Sequence, residues 1–200
     1  TLAKNYASAE LDIQPYFQTN LFLHCCNAIL VFILLFNLAK GSTFVSFFGA
    51  LLFAIHPMHV ESVAWISERK DVLYTFFFLL SLLSYLRFQA KQNYVWLIAC
   101  FGLFILSCLS KAMAVPLPFV LILLDYLNGR KINWKSLLEK VPFIAAAIWF
   151  GLNALEIQSK GAITDFDFFT GWQRIMFASY GYLSYWMKFF VPVGLSAFYP

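Results

Sequence analysis

The residues best suited to chemistry are concentrated in one polar stretch, residues 56–71, which we call the charged segment. It reads HPMHVESVAWISERKD and holds two imidazoles, three carboxylates, one guanidinium and one ammonium group. Only 12% of the residues in the whole chain are charged, so this concentration is unusual for the sequence. Ionisable groups beside long apolar runs are energetically costly, and their presence favours a functional site.

A metal site is one chemistry that the charged segment could support. His56, His59 and Glu61 offer imidazole and carboxylate groups, which are suitable ligands for Zn²⁺ or Mn²⁺. Their spacing is not the H-E-x-x-H pattern of zinc enzymes, and no further ligand is evident nearby. We therefore expect that no cofactor is required, and keep a divalent metal as the alternative.

Transfer of a group from a phosphate-linked donor is a second chemistry for the same residues. Glu61 would then act as a base or as a positioning carboxylate, supported by His59 and His56. The cations expected to bind the phosphate of the donor are Arg69, Lys70 and Lys111. Charge-assisted hydrogen bonds from such groups stabilise an anionic leaving group.

A structural interpretation competes with both chemistries. Residues 68–71 could pair with one another and cap the helix that follows, and for Glu68 and Asp71 this interpretation is favoured. For the two histidines and Glu61 the sequence leaves function and structure equally open. For Lys111, at a helix end, an interface anchor is the favoured interpretation, although the side it shares with Glu61 supports a functional role. His24 could hydrogen-bond in a polar pocket on this face, although simple packing is favoured.

These side chains must be positioned by apolar segments long enough to cross a bilayer. The chain is 62% hydrophobic, against about 45–50% for soluble domains. Windows of roughly 20 residues predict seven spans. They are residues 20–39, 43–56, 71–88, 94–110, 112–128, 138–156 and 172–191. The apolar runs do not alternate as barrel strands do. The predicted fold class is all-α, a polytopic transmembrane helical bundle in one domain, residues 1–200.

Charge is distributed unevenly between the predicted loops. Alternating the seven spans places eight Lys and Arg residues on one side and six on the other, while most acids share the side of the charged segment. Asp125 and Glu139 are the only acids assigned to the opposite side. By the excess of cations, that opposite side is expected to be cytoplasmic. No basic stripe indicates nucleic acid, and the expected surroundings are a lipid bilayer.

The charged segment, extended by Val72-Leu73, resembles the signature loop of the transmembrane and tetratricopeptide-repeat proteins. These are multi-spanning glycosyltransferases whose animal members are O-mannosyltransferases. Further similar stretches are residues 15–27, with Thr19-Asn20-Leu21 and Leu23-His24, residues 109–126, which begin Leu109-Ser110-Lys111, and the closing Phe198-Tyr199-Pro200. One departure is Phe17, where many relatives carry His. The resemblance covers nearly the whole chain and is closer to bacterial members.

The resemblance implies a type C glycosyltransferase fold. Such an enzyme moves a sugar, here expected to be mannose, from a polyprenyl-phosphate carrier to a protein or other hydroxyl acceptor. Transfer occurs at the extracytoplasmic face, with inversion. The principal acidic base would lie in a loop upstream of residue 1, and the tetratricopeptide repeats would lie beyond residue 200. The expected location is the bacterial inner membrane, or the endoplasmic reticulum membrane in a eukaryote.

Two other functions stay open at this point. A transporter or flippase for a lipid-linked substrate would favour ionisable residues near the middle of the spans, whereas this chain carries nearly all of them at helix ends. A non-catalytic membrane anchor for a repeat domain would need none of the candidate residues for activity. The chain starts with Thr, without a signal peptide, and is expected to be an excerpt of a longer protein.

Overall fold

The computed structural model describes residues 2, 5–6, 12–131, 133–159 and 170–193, and in these residues the regular structure is helical. The helices are α1 (Gln14–Leu38), α2 (Thr43–Ile55), α3 (Val60–Ala64), α4 (Arg69–Lys91), α5 (Tyr94–Ser110), α6 (Leu117–Leu127), α7 (Trp134–Leu138), α8 (Val141–Ser159) and α9 (Gly171–Phe190). Two short 3₁₀ helices, Pro57–His59 and Ala112–Ala114, follow α2 and α5. The all-α fold class is confirmed.

All seven predicted apolar segments are helical, although several ends differ from the prediction. α1 begins at Gln14, six residues before the predicted start, because Pro15 occupies the first turn, where its missing N–H costs nothing. α6 begins only at Leu117, after the 3₁₀ helix and Pro116.

Length and apolar character decide which helices could cross a bilayer. Within the described residues, three stretches meet both conditions: Gln14–Leu38, Arg69–Lys91 and Trp134–Gln158. A fourth is present if α2 and Pro57–Ala64, which are bent by 50° at their junction, count as one broken span. α5 and the stretch Ala112–Leu127 are apolar but shorter. The described part of the chain therefore supports three or four spans, fewer than the seven predicted segments.

The buried core lies between α4, α5, α6 and the first half of α8. Tyr85, Phe88, Phe104 and Phe143 are its largest members, each at most 1% exposed. α4 and α5 form a tight antiparallel pair. Their connection works because Gln92 adopts a left-handed conformation and the side chain of Asn93 accepts a hydrogen bond from the Val95 N–H.

Many large apolar side chains outside this core are exposed. They cover the outward surfaces of α2 and α9, for example Phe44, Leu52, Trp172 and Tyr180. In water such a surface would be an interaction site or an aggregation hazard, whereas lipid tails solvate it without cost. The outward distribution of apolar groups is that of an integral membrane protein.

Two polar regions lie at opposite ends of α4. With a rise of about 1.5 Å per residue, α4 separates its ends by roughly 33 Å, close to the thickness of a bilayer core. The charged segment and Lys111 lie at the first end. Asp125, Glu139 and Lys140 lie at the second end, as the alternation of loops predicts.

The structure differs from the sequence-based expectation at two places on the first end. The spacing of apolar residues from Met58 onward is compatible with one helix, but the helix is broken, because α3 ends at Ala64 and Trp65 is extended. α9 brings Phe189, near its carboxyl end, into contact with His56. A simple alternation of seven spans predicts that this end of α9 lies on the opposite side.

Candidate functional site

Three histidines form one cluster, in which His56 and His59 of the charged segment meet His24 of α1. His24, from α1, and His59, from the 3₁₀ helix, have ring centroids 5.6 Å apart. His56 follows at 6.2 Å from His59. Phe53 of α2 packs against His24 at 5.5 Å and against His59 at 4.6 Å. The structure thus brings together all three histidines that the sequence singled out.

Hydrogen bonds fix two of these imidazoles. The Nε2 of His24 lies 3.0 Å from the Ala54 carbonyl oxygen, so His24 both packs and hydrogen-bonds. The Nδ1 of His56 accepts from the Met58 N–H at 3.3 Å, which leaves Nε2–H to donate to the Phe189 carbonyl at 2.9 Å. Both ring nitrogens of His56 are therefore engaged in hydrogen bonds. The contact with Phe189 was missed by sequence reasoning, since 133 residues separate the two.

Glu61 lies in the first turn of α3, two residues after His59. Its side chain is exposed, and it lines neither of the two cavities beside the histidines. The carboxylate has no hydrogen bond or ion pair with another described residue. The catalytic role of Glu61 stays a prediction.

An ion-pair network surrounds Lys111. Its ammonium group binds Asp71 directly and lies 3.8 Å from Glu68, and Glu68 is also 3.3 Å from Lys70. The Ser62 hydroxyl donates to Asp71 at 3.3 Å. The local pairing expected for Glu68 is confirmed. Lys70 is half exposed and Lys111 one quarter exposed, so both reach the surface.

Arg69 is placed quite differently from the two lysines. It is only 1% exposed, and its guanidinium donates to Asn20 Oδ1 at 2.8 Å, the Tyr16 carbonyl at 2.9 Å and Asn5 Oδ1 at 3.1 Å. These acceptors are neutral and come from α1 and the segment before it. Arg69 therefore ties the start of α4 to α1, and a phosphate at the surface would not reach it.

Asn20 is a site residue that sequence reasoning did not single out. Besides accepting from Arg69, its amide donates to the carbonyls of Val63 at 3.3 Å and Trp65 at 3.0 Å. Asn20 is fully buried, and its two hydrogen bonds hold the carboxyl end of α3 against α1. A polar side chain inside an apolar span was the available signal.

A small polar cavity of about 90 Å³ lies behind the histidines. His24, Asn27, His59, Asp71 and Thr75 contribute to its walls. The Asn27 amide donates to the Val72 carbonyl at 2.8 Å, but its oxygen is buried and has no hydrogen-bond partner. Leaving a buried acceptor unmet costs roughly 1–3 kcal/mol, so a water or a ligand hydroxyl is expected here.

Two apolar cavities flank the site. One of about 280 Å³ lies between α1 and α3 and includes Phe17 and Val63. The other, of about 610 Å³, is a groove between α6 and α8 lined by Phe119, Ile148 and Leu152 among others. This groove begins at Ala112, the residue next to Lys111. Lys111 itself does not line the groove, and its ammonium group is bound to Asp71 of α4.

The metal alternative finds no geometric support in the part of the chain that the structure describes. No three His, Cys, Asp or Glu side chains there are close enough to hold a metal ion.

A second polar network, remote from these residues, joins the other ends of the helices. Asp125 and Lys140, each 1% exposed, form an ion pair. Tyr85 donates to Asp125 at 2.7 Å. Arg130 binds Glu139 through two hydrogen bonds of 2.7 and 2.9 Å, and this pairing raises the pKa of Arg130 above its ordinary value. Sequence reasoning assigned these residues to one side but did not predict the network.

These features define a polytopic membrane protein with a cluster of imidazoles, carboxylates and lysines at one membrane face. Residues 16–156 match the family of dolichyl-phosphate-mannose-protein mannosyltransferases, and the chain belongs to that family. The match includes all three histidines and Lys111.

Two individual relatives are consistent with this family assignment. The chain is 37% identical over 90 residues to Protein O-mannosyl-transferase TMTC2 of Homo sapiens, covering 45% of this chain and 11% of that protein. It is 32% identical over 124 residues to Protein O-mannosyl-transferase Tmtc1 of Drosophila melanogaster, covering 62% and 14% respectively. The resemblance to the transmembrane and tetratricopeptide-repeat proteins is confirmed. The chain spans only about a seventh or less of these relatives, and no solved structure matches it.

Proposed function

We propose that this chain is part of the membrane domain of a protein O-mannosyltransferase. The full-length protein would transfer mannose from a polyprenyl-phosphate carrier to a hydroxyl group of a protein acceptor. The observation that carries the proposal is the family match over residues 16–156, because this range contains the helices that position the histidine cluster and Lys111.

The proposed reaction requires few chemical groups. The acceptor hydroxyl oxygen attacks the anomeric carbon of the sugar, and the bond from that carbon to the phosphate oxygen breaks. The hydroxyl proton passes to a base, and the lipid phosphate leaves as an anion. Cations that stabilise this anion are needed, whereas a metal is optional. The principal base is proposed to lie upstream of this chain.

Lys70 and Lys111 are the cations best placed to receive the phosphate. Both reach the surface, and the carboxylates of Glu68 and Asp71 hold them in the absence of donor. An incoming phosphate would replace those carboxylates as the partner of the ammonium groups. Arg69 would act indirectly in this mechanism, by fixing the start of α4 on which Lys70 lies.

The apolar groove between α6 and α8 suits the lipid part of the same donor. Its walls are hydrocarbon, and it begins next to Lys111, where the phosphate would be bound. An isoprenoid chain could thus lie in the groove while its phosphate meets the ammonium group. The geometry favours a donor that is anionic at one end and apolar along its length.

His59 and Glu61 are proposed to assist on the acceptor side. Glu61 is exposed and free of partners among the described residues, so it can hydrogen-bond a hydroxyl without first losing an interaction. His59, beside the orphaned oxygen of Asn27, lines the small polar cavity. The site would face the periplasm in a bacterium or the lumen of the endoplasmic reticulum in a eukaryote.

The test is mannose transfer by the full-length protein in membranes, using radiolabelled polyprenyl-phosphate mannose. We expect Lys111→Gln to lower kcat/KM about tenfold or more, because a hydrogen bond to a charged group is worth roughly 1.5–3 kcal/mol. Glu61→Gln is expected to lower transfer while leaving membrane insertion intact. Lys135→Gln is the matched control, since Lys135 is exposed at the other end of the bundle.

Three results would count against the proposal. Absence of transfer by the wild-type protein with every polyprenyl carrier would contradict the enzymatic function. Transfer unchanged in both site variants would leave the chain as a membrane anchor. Movement of the intact lipid-linked sugar across the bilayer, without transfer to an acceptor, would establish the flippase instead.

A further inference from the structure

A cavity of about 410 Å³ lies between α1, α4 and α5, well away from the histidine cluster. Its walls are mostly apolar and include Leu30, Ile33 and Leu83, together with the polar Asn37 and Ser84. Arg87 and Trp96 line it nearer the carboxyl end of α4. We call this feature the basic cavity.

Arg87 lines the basic cavity and Lys91 lies beside it, and in the described part of the chain neither cation has an acidic partner. The guanidinium of Arg87 lies 4.9 Å from the centre of the Trp96 ring, and the Lys91 ammonium lies 6.0 Å from the same ring. Both side chains are exposed, and neither forms an ion pair with a described carboxylate. The described acids at this end of the bundle, Asp125 and Glu139, are already paired with Arg130 and Lys140.

We propose that the basic cavity binds an anionic phospholipid of the surrounding bilayer. The headgroup phosphate would lie between Arg87 and Lys91, and one acyl chain would lie along Leu30, Ile33 and Leu83. The planar guanidinium can bind two phosphate oxygens at once. Trp96 sits where tryptophans commonly mark the interface between hydrocarbon and water. Basic pockets between membrane helices are known sites for acidic headgroups.

The cations and the apolar walls together argue against an inorganic anion or a zwitterionic lipid as the ligand of the basic cavity. A free inorganic anion would satisfy the cations but leave the apolar walls of the cavity in contact with water. A zwitterionic lipid would fill the walls but bring its own cation towards Arg87 and Lys91. A lipid with net negative charge satisfies both requirements. The loop charges also assign this end of the bundle to the cytoplasmic side, where anionic lipids are concentrated.

The experiment is native mass spectrometry of the full-length protein, delipidated in detergent and titrated with phosphatidylglycerol or phosphatidylcholine of identical acyl chains. We expect selective retention of phosphatidylglycerol. The double variant Arg87→Gln with Lys91→Gln should weaken its binding roughly tenfold or more, because each cation near an anionic headgroup contributes to the attraction. Leu83→Trp, which fills the cavity and leaves both cations in place, should weaken it as well.

The matched control is Lys131→Gln with Lys135→Gln, which removes two exposed lysines at the same end of the bundle but outside the cavity. Binding should be unchanged in this control, and a melting curve for each variant shows that the fold is retained. Equal retention of both lipids, or an equal loss in the control, would overturn the proposal. Failure of the wild-type protein to bind phosphatidylglycerol would also overturn it, and would indicate that another helix of the full-length protein covers the cavity.

Discussion

At the scale of single residues, the helices that carry the candidate site are held together by a buried cation and its neutral hydrogen-bond acceptors. Arg69 is a buried cation whose described partners are two amides and a backbone carbonyl. Asn20 is the central partner, because it binds Arg69 and also two carbonyls of the charged segment. The start of α4, which carries the exposed Lys70, is therefore fixed by hydrogen bonds from Arg69 to neutral acceptors.

Replacing Asn20 by Leu should destabilise the full-length protein by about 1–3 kcal/mol, because Arg69 and two backbone carbonyls lose their partner in a buried place. The measurement is thermal or denaturant unfolding in detergent. Asn37→Leu is the matched control in the same helix, since the Asn37 amide is exposed and bonds only to the Ile33 carbonyl one turn away. A change within about 0.5 kcal/mol is expected there, and equal losses in both variants would contradict the role of Asn20.

Sequence distance explains which of these residue contacts could be predicted. Glu68 and Lys70 are two residues apart, and their pairing was expected from local spacing alone. Arg69 and Asn20 are 49 residues apart, and His56 and Phe189 are 133 apart. Such contacts depend on how the helices pack, which no pattern within a single segment specifies. The sequence therefore identified the polar residues but not the direction in which each side chain points.

At the scale of helices, apolar length was a reliable guide because a helix in lipid satisfies its backbone hydrogen bonds internally. Every predicted segment is helical for that reason. Interruptions were harder to predict: the bend after α2 occurs at the extended His56, whose ring accepts from the Met58 N–H, and a second break occurs at the extended Trp65. The network of Asp125 and Lys140 likewise joins α6 to the turn before α8, and thereby fixes helices that share few other polar contacts.

We expect Lys140→Met to cost about 3 kcal/mol of stability, because it removes the closer counter-charge of the buried Asp125 and leaves it only Arg130, at 3.5 Å. The double variant with Asp125→Leu should recover much of this loss, since no uncompensated charge remains. A double-mutant cycle from denaturant unfolding measures both effects. Lys135→Met, at an exposed position of α7, should be nearly neutral. Additive losses in the double variant would show that the two residues act independently.

At the scale of the whole molecule, polar groups are concentrated at the two ends of an apolar body. One end carries the charged segment with Lys111, and the other carries the Asp125 network with Arg87 and Lys91. This arrangement fits a protein that meets water at two membrane faces. It also separates the proposed transfer site from the proposed lipid site by the length of α4.

The arrangement predicts that the two ends are labelled from opposite sides of the membrane. In a variant without its native cysteines, Lys70→Cys should react with an impermeant thiol reagent added to the extracytoplasmic side. Lys135→Cys should react with the reagent only after the membrane is permeabilised. Both positions are exposed, so accessibility within the protein is comparable. Labelling of both from the same side would contradict the assignment.

The hydrogen bonds of α1 have a consequence for biosynthesis. Chains are made from the amino terminus, so α1 enters the membrane before α4 exists. Asn20 and Asn27 then lack their partners Arg69 and Val72, which are synthesised 49 and 45 residues later. Buried amides without partners weaken the insertion of a single helix. α1 is thus expected to stay beside the insertion machinery until α4 arrives, and the two helices to enter the lipid as a pair.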